Sequence, residues 1–373
     1  MRVTRAWIVV WAVAVGGLAG GQGTHAADEG PPPPDIVVPD PCFTTPCFTT
    51  ACCDVPCRLL DPLGQDPVWT GRAEALLLWR DAPASVPFYD FADAEAAGRT
   101  VALSASDFQS GMAAGPRFTL FRHTGDMGAI EFNYLRVQSF TASRSLPTLA
   151  DGYVDTQPRG LYCCDTQTPR DTAGGGMSSS LQSFEINRRF PTDGRLGWLM
   201  GFRWVEWNDG IGLESLTVPD PEFFPDPYTR SYRTRTANDL YGLQIGADSI
   251  LYGLGRSFRI EGIGKAGIFY NDARQTSRFS TTDQFVEPDM LAVATSTGRA
   301  AFVGELGATA VYDVTERISL RAGYTIFWLG GLALAPNQFD RQKLCPGNDV
   351  MGGTDTGGSV VAQGLSLGLE GRW

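Results

Sequence analysis

The sequence predicts an all-β fold, an antiparallel up-and-down transmembrane β-barrel of about ten strands, with eight to twelve compatible with the pattern. Three observations predict it. Segments with a period of two recur along the chain, apolar on one face and small or charged on the other. The connections between them alternate strictly between short and long. After an N-terminal leader there is no run of eighteen apolar residues, so a membrane helix is excluded. A chain that spans a bilayer without helices must close its sheet, because only a closed sheet leaves no unpaired backbone groups in lipid.

Residues 1–26 read as a secretory signal peptide. Arg2 and Arg5 give a positive start, Ala6 to Leu18 an apolar run, and Thr24-His25-Ala26 a small-residue cleavage site. Residues 27–70 read as a Pro- and Cys-rich periplasmic tail. Pro31 to Pro34 is stiff polyproline, followed by Cys42, Cys47, Cys52, Cys53 and Cys57 in a Thr/Pro-rich tract. Residues 71–373 read as the barrel.

Within it, strands are expected at 72–80, 113–122, 128–140, 179–190, 195–207, 237–250, 256–270, 299–312, 317–329 and 360–373. The connections after the second, fourth, sixth and eighth are short and hold the Gly and Asp of tight turns, as in His123-Thr-Gly-Asp-Met. The other connections are long and rich in Pro, Asp, Gly and Thr. Short turns on the periplasmic side and long loops outside are the pattern of outer-membrane barrels. The last strand shows the alternation most clearly: Leu365, Leu367, Leu369 and Trp373 stand on one face, and Gly364, Ser366, Gly368, Glu370 and Arg372 on the other.

Alternation alone does not say which face is outside, since a soluble lipocalin-type barrel turns its apolar face inward. Aromatics at expected strand ends, Trp79, Trp207, Tyr270, Tyr312 and Trp328, read as an interfacial girdle and favour the membrane. The opposite face then becomes the lumen. Its expected pore-lining residues are Glu131, Arg203, Asp248, Arg259, Glu261, Lys265, Arg321, Glu370 and Arg372, with Glu74, Arg117, Glu185 and Glu305 on the same parity. Such a lining can select solutes. It can equally be an internal salt-bridge ladder, because barrels near eight strands are filled by their own side chains while open porins have about sixteen.

Composition narrows the function classes. A net charge of −11 argues against a nucleic-acid partner. The string Gly262-Ile-Gly-Lys-Ala-Gly matches a dinucleotide motif but lies inside an alternating strand, with no helix to follow. Gly364-Leu-Ser-Leu-Gly matches a nucleophile elbow, yet Ser366 sits mid-strand. Of two histidines, His25 falls in the leader and His123 in a periplasmic turn, so no enzymatic activity is expected. The tail cysteines lack paired C-x-x-C knuckles and a nearby His, so neither metal nor cofactor is expected. An oxidising periplasm favours disulfides among the tail cysteines, or from Cys345 to Cys163 or Cys164 as a clamp between loops. Five tail cysteines cannot all pair internally, which leaves a disulfide-linked envelope partner open.

Gly71-Arg-Ala-Glu-Ala-Leu-Leu-Leu-Trp, Gly115-Pro-Arg-Phe-Thr-Leu-Phe, Ala129-Ile-Glu-Phe-Asn-Tyr, Leu320-Arg-Ala-Gly-Tyr-Thr and the terminal Gln363 to Trp373 together resemble the outer-membrane β-barrel porin families of planctomycete-type bacteria. The resemblance implies a Gram-negative-type outer membrane, contact with its lipid, and a small pore for hydrophilic solutes. It supplies no catalytic residues. It also implies that Trp373 belongs to the signal read by the barrel-assembly machinery. The alternative expectation is a plugged structural barrel that binds other envelope components.

Overall fold

A computed structural model describes residues 68–92, 99–125, 128–146, 153–155, 169–170, 172–190, 196–218, 226–255, 257–282, 291–341 and 353–373. The expected signal peptide, nearly all of the expected tail and all eight cysteines lie outside the described residues.

The strands are β1 (Trp69–Arg80), β2 (Pro87–Ala92), β3 (Arg99–Ser104), β4 (Ala113–His123), β5 (Ala129–Leu146), β6 (Tyr153–Asp155) and β7 (Pro169–Arg170). They continue with β8 (Thr172–Phe190), β9 (Leu196–Thr217), β10 (Tyr228–Leu254), β11 (Phe258–Thr281), β12 (Leu291–Asp313), β13 (Ile318–Leu332) and β14 (Gly358–Arg372). Ten of them close an antiparallel barrel in the order β1-β14-β13-β12-β11-β10-β9-β8-β5-β4, and β4 returns to β1. Each of the ten expected strands is present. Closure runs from Thr70 opposite Arg372 to Arg80 opposite Ala362. The backbones of Trp69 and Trp373 exchange two hydrogen bonds at the rim, of 2.9 and 3.0 Å.

The faces settle what alternation leaves open. On β10 and β11 the outward Leu243 and Ile268 are 73% and 76% exposed, while the inward Gln244 and Lys265 are 3% and 5% exposed. Apolar side chains outside and polar ones inside is the arrangement lipid requires and water would penalise. Tyr134, Phe184, Trp204, Tyr241 and Tyr270 stand in register on five adjacent strands, at the upper limit of the apolar face.

Two features differ from the expectation. The third and fourth long connections are largely strand. β10 has 27 residues, and at ~3.3 Å per residue and a tilt near 40° it rises roughly 65–70 Å against an apolar band of about 25 Å. The sequence hides this because Asp, Thr and Arg dominate its outward face above the membrane, where no apolar alternation is needed. A second sheet, β3-β2-β6-β7, is built from the first two long connections. Trp207 is also not in the girdle. It occupies an inward position and is fully buried, packed against Phe140 at 6.0 Å between ring centroids. β9 runs ten residues past Trp207, so its position is the middle of the strand and its parity points into the lumen.

Candidate functional site in the barrel lumen

The only concave surface a barrel owns by construction is its lumen, and the inward residues of the ten strands fill it in layers. Nearest the turn end is a charged layer. Among the described residues its cations are Arg72, Arg117, Arg189, Arg203, Arg259, Lys265, Arg321 and Arg372. Its carboxylates are Glu74, Glu131, Glu185, Asp248, Glu261, Glu305, Asp313 and Glu370. The two signs are equal in number, so the layer carries no net charge to concentrate ions of either sign.

The pairing is dense. Arg203 donates to Glu305 at 2.9 Å and stands 3.4 Å from Glu185. Lys265 donates to Glu185 at 2.8 Å and to Glu131 at 3.2 Å. Arg117 donates to Glu74 at 2.7 Å. Closer to the rim, Arg321 bridges Glu370 and Glu261 at 2.8 and 2.9 Å, and Arg259 bridges Glu261 and Asp313, each at 2.7 Å. A cavity of about 420 Å³ lies among these groups, lined also by Thr119, Asn133 and Thr325.

Above the charged layer the lumen is apolar. Leu76, Leu78, Leu135, Val137, Trp207, Leu240, Phe327, Leu329 and Val360 come from opposite walls, and each is at most 1% exposed. The Arg203 guanidinium lies 5.8 Å from the Phe327 ring, where the two layers meet. Side chains this completely excluded from solvent are in contact with one another rather than with water.

A third layer is polar and holds the first residues of the last connection inside the barrel. Gly331 has a positive φ of 83° and sits at a break in register between β13 and β14. That turn, which a residue with a Cβ adopts at a cost, leads the chain inward. The Asn238 amide then donates to the Ala333 carbonyl at 2.9 Å, and its oxygen accepts from the Ala333 N–H at 2.7 Å. Asp209 accepts from the Ala335 N–H at 3.1 Å and from Arg80 at 2.9 Å. Gln338, in the short 3-10 helix Pro336–Arg341, is bonded to Leu334 and Asp355. A second apolar cluster closes the top: Phe88, Tyr89 and Phe108 from the first connection meet Phe339 from the last, with Phe88 and Phe339 at 4.7 Å.

Every expected lining residue therefore faces inward and is paired with another. Asp248 is the most open, its side chain 37% exposed beside Arg189. Arg72 and Arg189 join the charged layer although the sequence reading passed over them; they share parity with Glu74 and Glu185, which was the available signal. The inner polar layer of Arg80, Asp209, Asn238 and Asn271 was also missed, because three of the four lie at or beyond the expected strand limits. His123 ends β4 at the periplasmic rim, where its Nε2 and the Thr70 hydroxyl are 3.0 Å apart. Burial, and then the charges of Arg72 and Arg189, hold its pKa below the ordinary value. Ser366 is buried in a continuous strand, its hydroxyl without a hydrogen-bond partner among the described residues, and Gly262 to Gly267 lie wholly within β11. Trp373 points outward at the rim, 62% exposed.

The model of one protein family, described as putative beta barrel porin-7 (BBP7), matches residues 71–373. No curated protein sequence matches the chain. Among solved structures the chain is similar to the outer membrane protease OmpT from Escherichia coli, at 12% identity over 82% of this chain and 96% of that one, with a TM-score of 0.41. It is similar to the P. putida toluene transporter TodX at 9% identity over 82% and 89%, with a TM-score of 0.25. It is also similar to an anion-selective porin from Comamonas acidovorans at 10% identity over 82% and 98%, with a TM-score of 0.18.

Proposed function

Because the chain belongs to the putative beta barrel porin-7 family, and so to the outer membrane, we propose that it is a porin-type barrel whose resting state is closed to solutes. One observation carries the reading: the apolar layer of Leu76, Leu78, Leu135, Trp207, Leu240 and Phe327 joins opposite walls above the charged layer. The charged groups on this reading are an internal ladder that fills the periplasmic half of a narrow barrel. The tall wall of β8 to β12 and the sheet β3-β2-β6-β7 become the working surface presented to the outside. Non-enzymatic action is part of the proposal, supported by the porin family and by the placement of His123 at the rim.

A second reading, passive passage of small hydrophilic solutes, is favoured by the family and by the 420 Å³ charged cavity. It requires the chain from Ala333 to Arg341 to leave the lumen, since that segment and the apolar layer lie in series with the cavity. Outward exposure of Trp373 at the rim supports its role as the signal for barrel assembly.

Planar-bilayer conductance of the refolded barrel tests the closed reading. The wild type is expected to be silent or to open rarely, whereas Asp209→Ala with Asn238→Ala, which removes the bonds to Ala333 and Ala335, is expected to raise the frequency of discrete openings. Steady conductance steps from the wild type overturn the closed state and establish the passive pore.

A further inference from the structure

Above the aromatic row the outer wall changes character. The outward residues of β8 and β9 become small or polar, Ser180, Ser178, Asn208 and Gly210, while β10 presents Arg235 and Arg233 and β11 presents Arg274 and Arg278. A groove of about 590 Å³ crosses these strands, floored by Ser178, Ser180, Gly210 and Ala237 and walled by Arg235 and Arg274.

Its charges are unevenly paired. Four exposed arginines on two strands share the outward face with Glu206, Glu214, Asp239 and Asp272. Arg233 and Arg278 are also direct cross-strand neighbours, an arrangement that destabilises a sheet unless an anion lies between them. Arg233 reaches Glu214 at 3.1 Å and Arg274 reaches Asp272 at 2.5 Å. Arg235 and Arg278 have no hydrogen bond or ion pair among the described residues.

Height narrows the ligand. Arg235 is six residues beyond Tyr241 on β10, about 20 Å of strand and roughly 15 Å of rise at the usual tilt. That lies above the hydrocarbon, where saccharide chains extend from the outer surface. Guanidinium forks match phosphate and carboxylate oxygens, and a floor of hydroxyl, amide and small residues lets a sugar ring approach the wall.

We propose that this groove binds an anionic saccharide, its ring over Ser178, Ser180 and Gly210 and its phosphate or carboxylate groups held by Arg235 of the groove wall and by Arg278, which lies outside the groove, diagonal to Arg235 on the neighbouring strand and one same-face position farther from the membrane. The site is on the outer wall and holds whether the lumen conducts or not. The saccharide can be the headgroup of a membrane glycolipid or a free anionic polysaccharide; both present the same chemistry.

The test titrates the refolded full barrel in neutral detergent with a glucosamine disaccharide bearing two phosphates, with the same headgroup acylated, and with the unphosphorylated disaccharide. The phosphorylated probe is expected to bind, and Arg235→Gln with Arg278→Gln to weaken it by at least about tenfold, the loss of charge-assisted contacts, at unchanged circular dichroism and heat-modifiability. Arg278→Gln alone, which only relieves a like-charge pair, gives the same comparison if the double variant does not refold. Equal binding of both phosphorylated forms assigns the site to free polysaccharide, and binding of the acylated form only assigns it to a membrane glycolipid. No binding, binding equal to that of the unphosphorylated disaccharide, or binding untouched by the substitutions overturns the proposal.

Discussion

Lys265 shows what a single residue contributes to this barrel. Its ammonium sits between Glu131 and Glu185 with only 2% of its side chain exposed. Removing it leaves Glu131 with Arg189 alone and Glu185 with Arg203 alone, and breaking a buried pair costs up to about 3–5 kcal/mol, more than the pair itself is worth. Lys265→Met is therefore expected to lower the guanidinium unfolding midpoint of the refolded barrel sharply. A shift no larger than that of an exposed-pair variant such as Arg233→Met would mean the lumen is hydrated and conducting. Asp313, the last residue of β12 at the periplasmic rim, gives a pH dependence of known sign. Burial would raise its pKa, but the Ser319 hydroxyl and the Arg259 guanidinium bonded to it hold it below the ordinary 3.8. A depressed carboxylate stabilises the fold above its unfolded pKa and loses that contribution as pH falls through the folded value. The stability gap between wild type and Asp313→Asn is expected to be full at neutral pH and to close below about pH 4, within reach of an acid titration of the unfolding midpoint. At this scale parity was readable from the sequence, so Glu131, Arg203, Lys265 and Glu370 could be placed on the inner face. Their partners could not, since pairs such as Arg203 and Glu305 are 102 residues apart.

The strands were the most legible elements, because lipid forces a period of two wherever they cross it. All ten appear at their expected places. What the pattern could not show is their continuation above the membrane, where both faces of β10 and β11 carry Arg, Thr and Ser and the alternation fades. The small sheet β3-β2-β6-β7 left no periodic signal either, since its strands have two to six residues. Strand packing also explains a class of glycine. A Cβ on Gly364 of β14 would stand 2.0 Å from the Leu77 carbonyl oxygen of β1. That contact lies at the closing seam, and backbone cannot yield as a flexible side chain can. Gly364→Ala is expected to reduce the yield of folded, heat-modifiable barrel severalfold, as read by gel mobility without boiling. An unchanged yield would mean the β1–β14 seam is looser than its register implies.

The described barrel is a closed wall around a centre filled by side chains. On the closed reading, stability and closure are the same property, because the side chains that pack the lumen are those that would line a pore. The paired latch variant Asp209→Ala, Asn238→Ala is expected to lower stability and raise conductance together, because Leu332 and Leu334 at the head of the inward chain are part of the apolar layer, and an effect on stability alone would mean that the inward chain is no part of the barrier. By itself the sequence determined the fold class, the ten barrel strands, which residues share a face of each strand and the outer-membrane setting, since each follows from local period, turn chemistry and the demand that lipid meet no unpaired backbone. Only the tertiary structure decided what fills the lumen. Trp207 reads as a girdle aromatic, Leu240 and Phe327 as ordinary strand residues, and Ala333 to Arg341 as an ordinary loop. Their convergence depends on strand register, barrel diameter and the turn at Gly331, which bring together residues far apart in the chain and leave no local pattern.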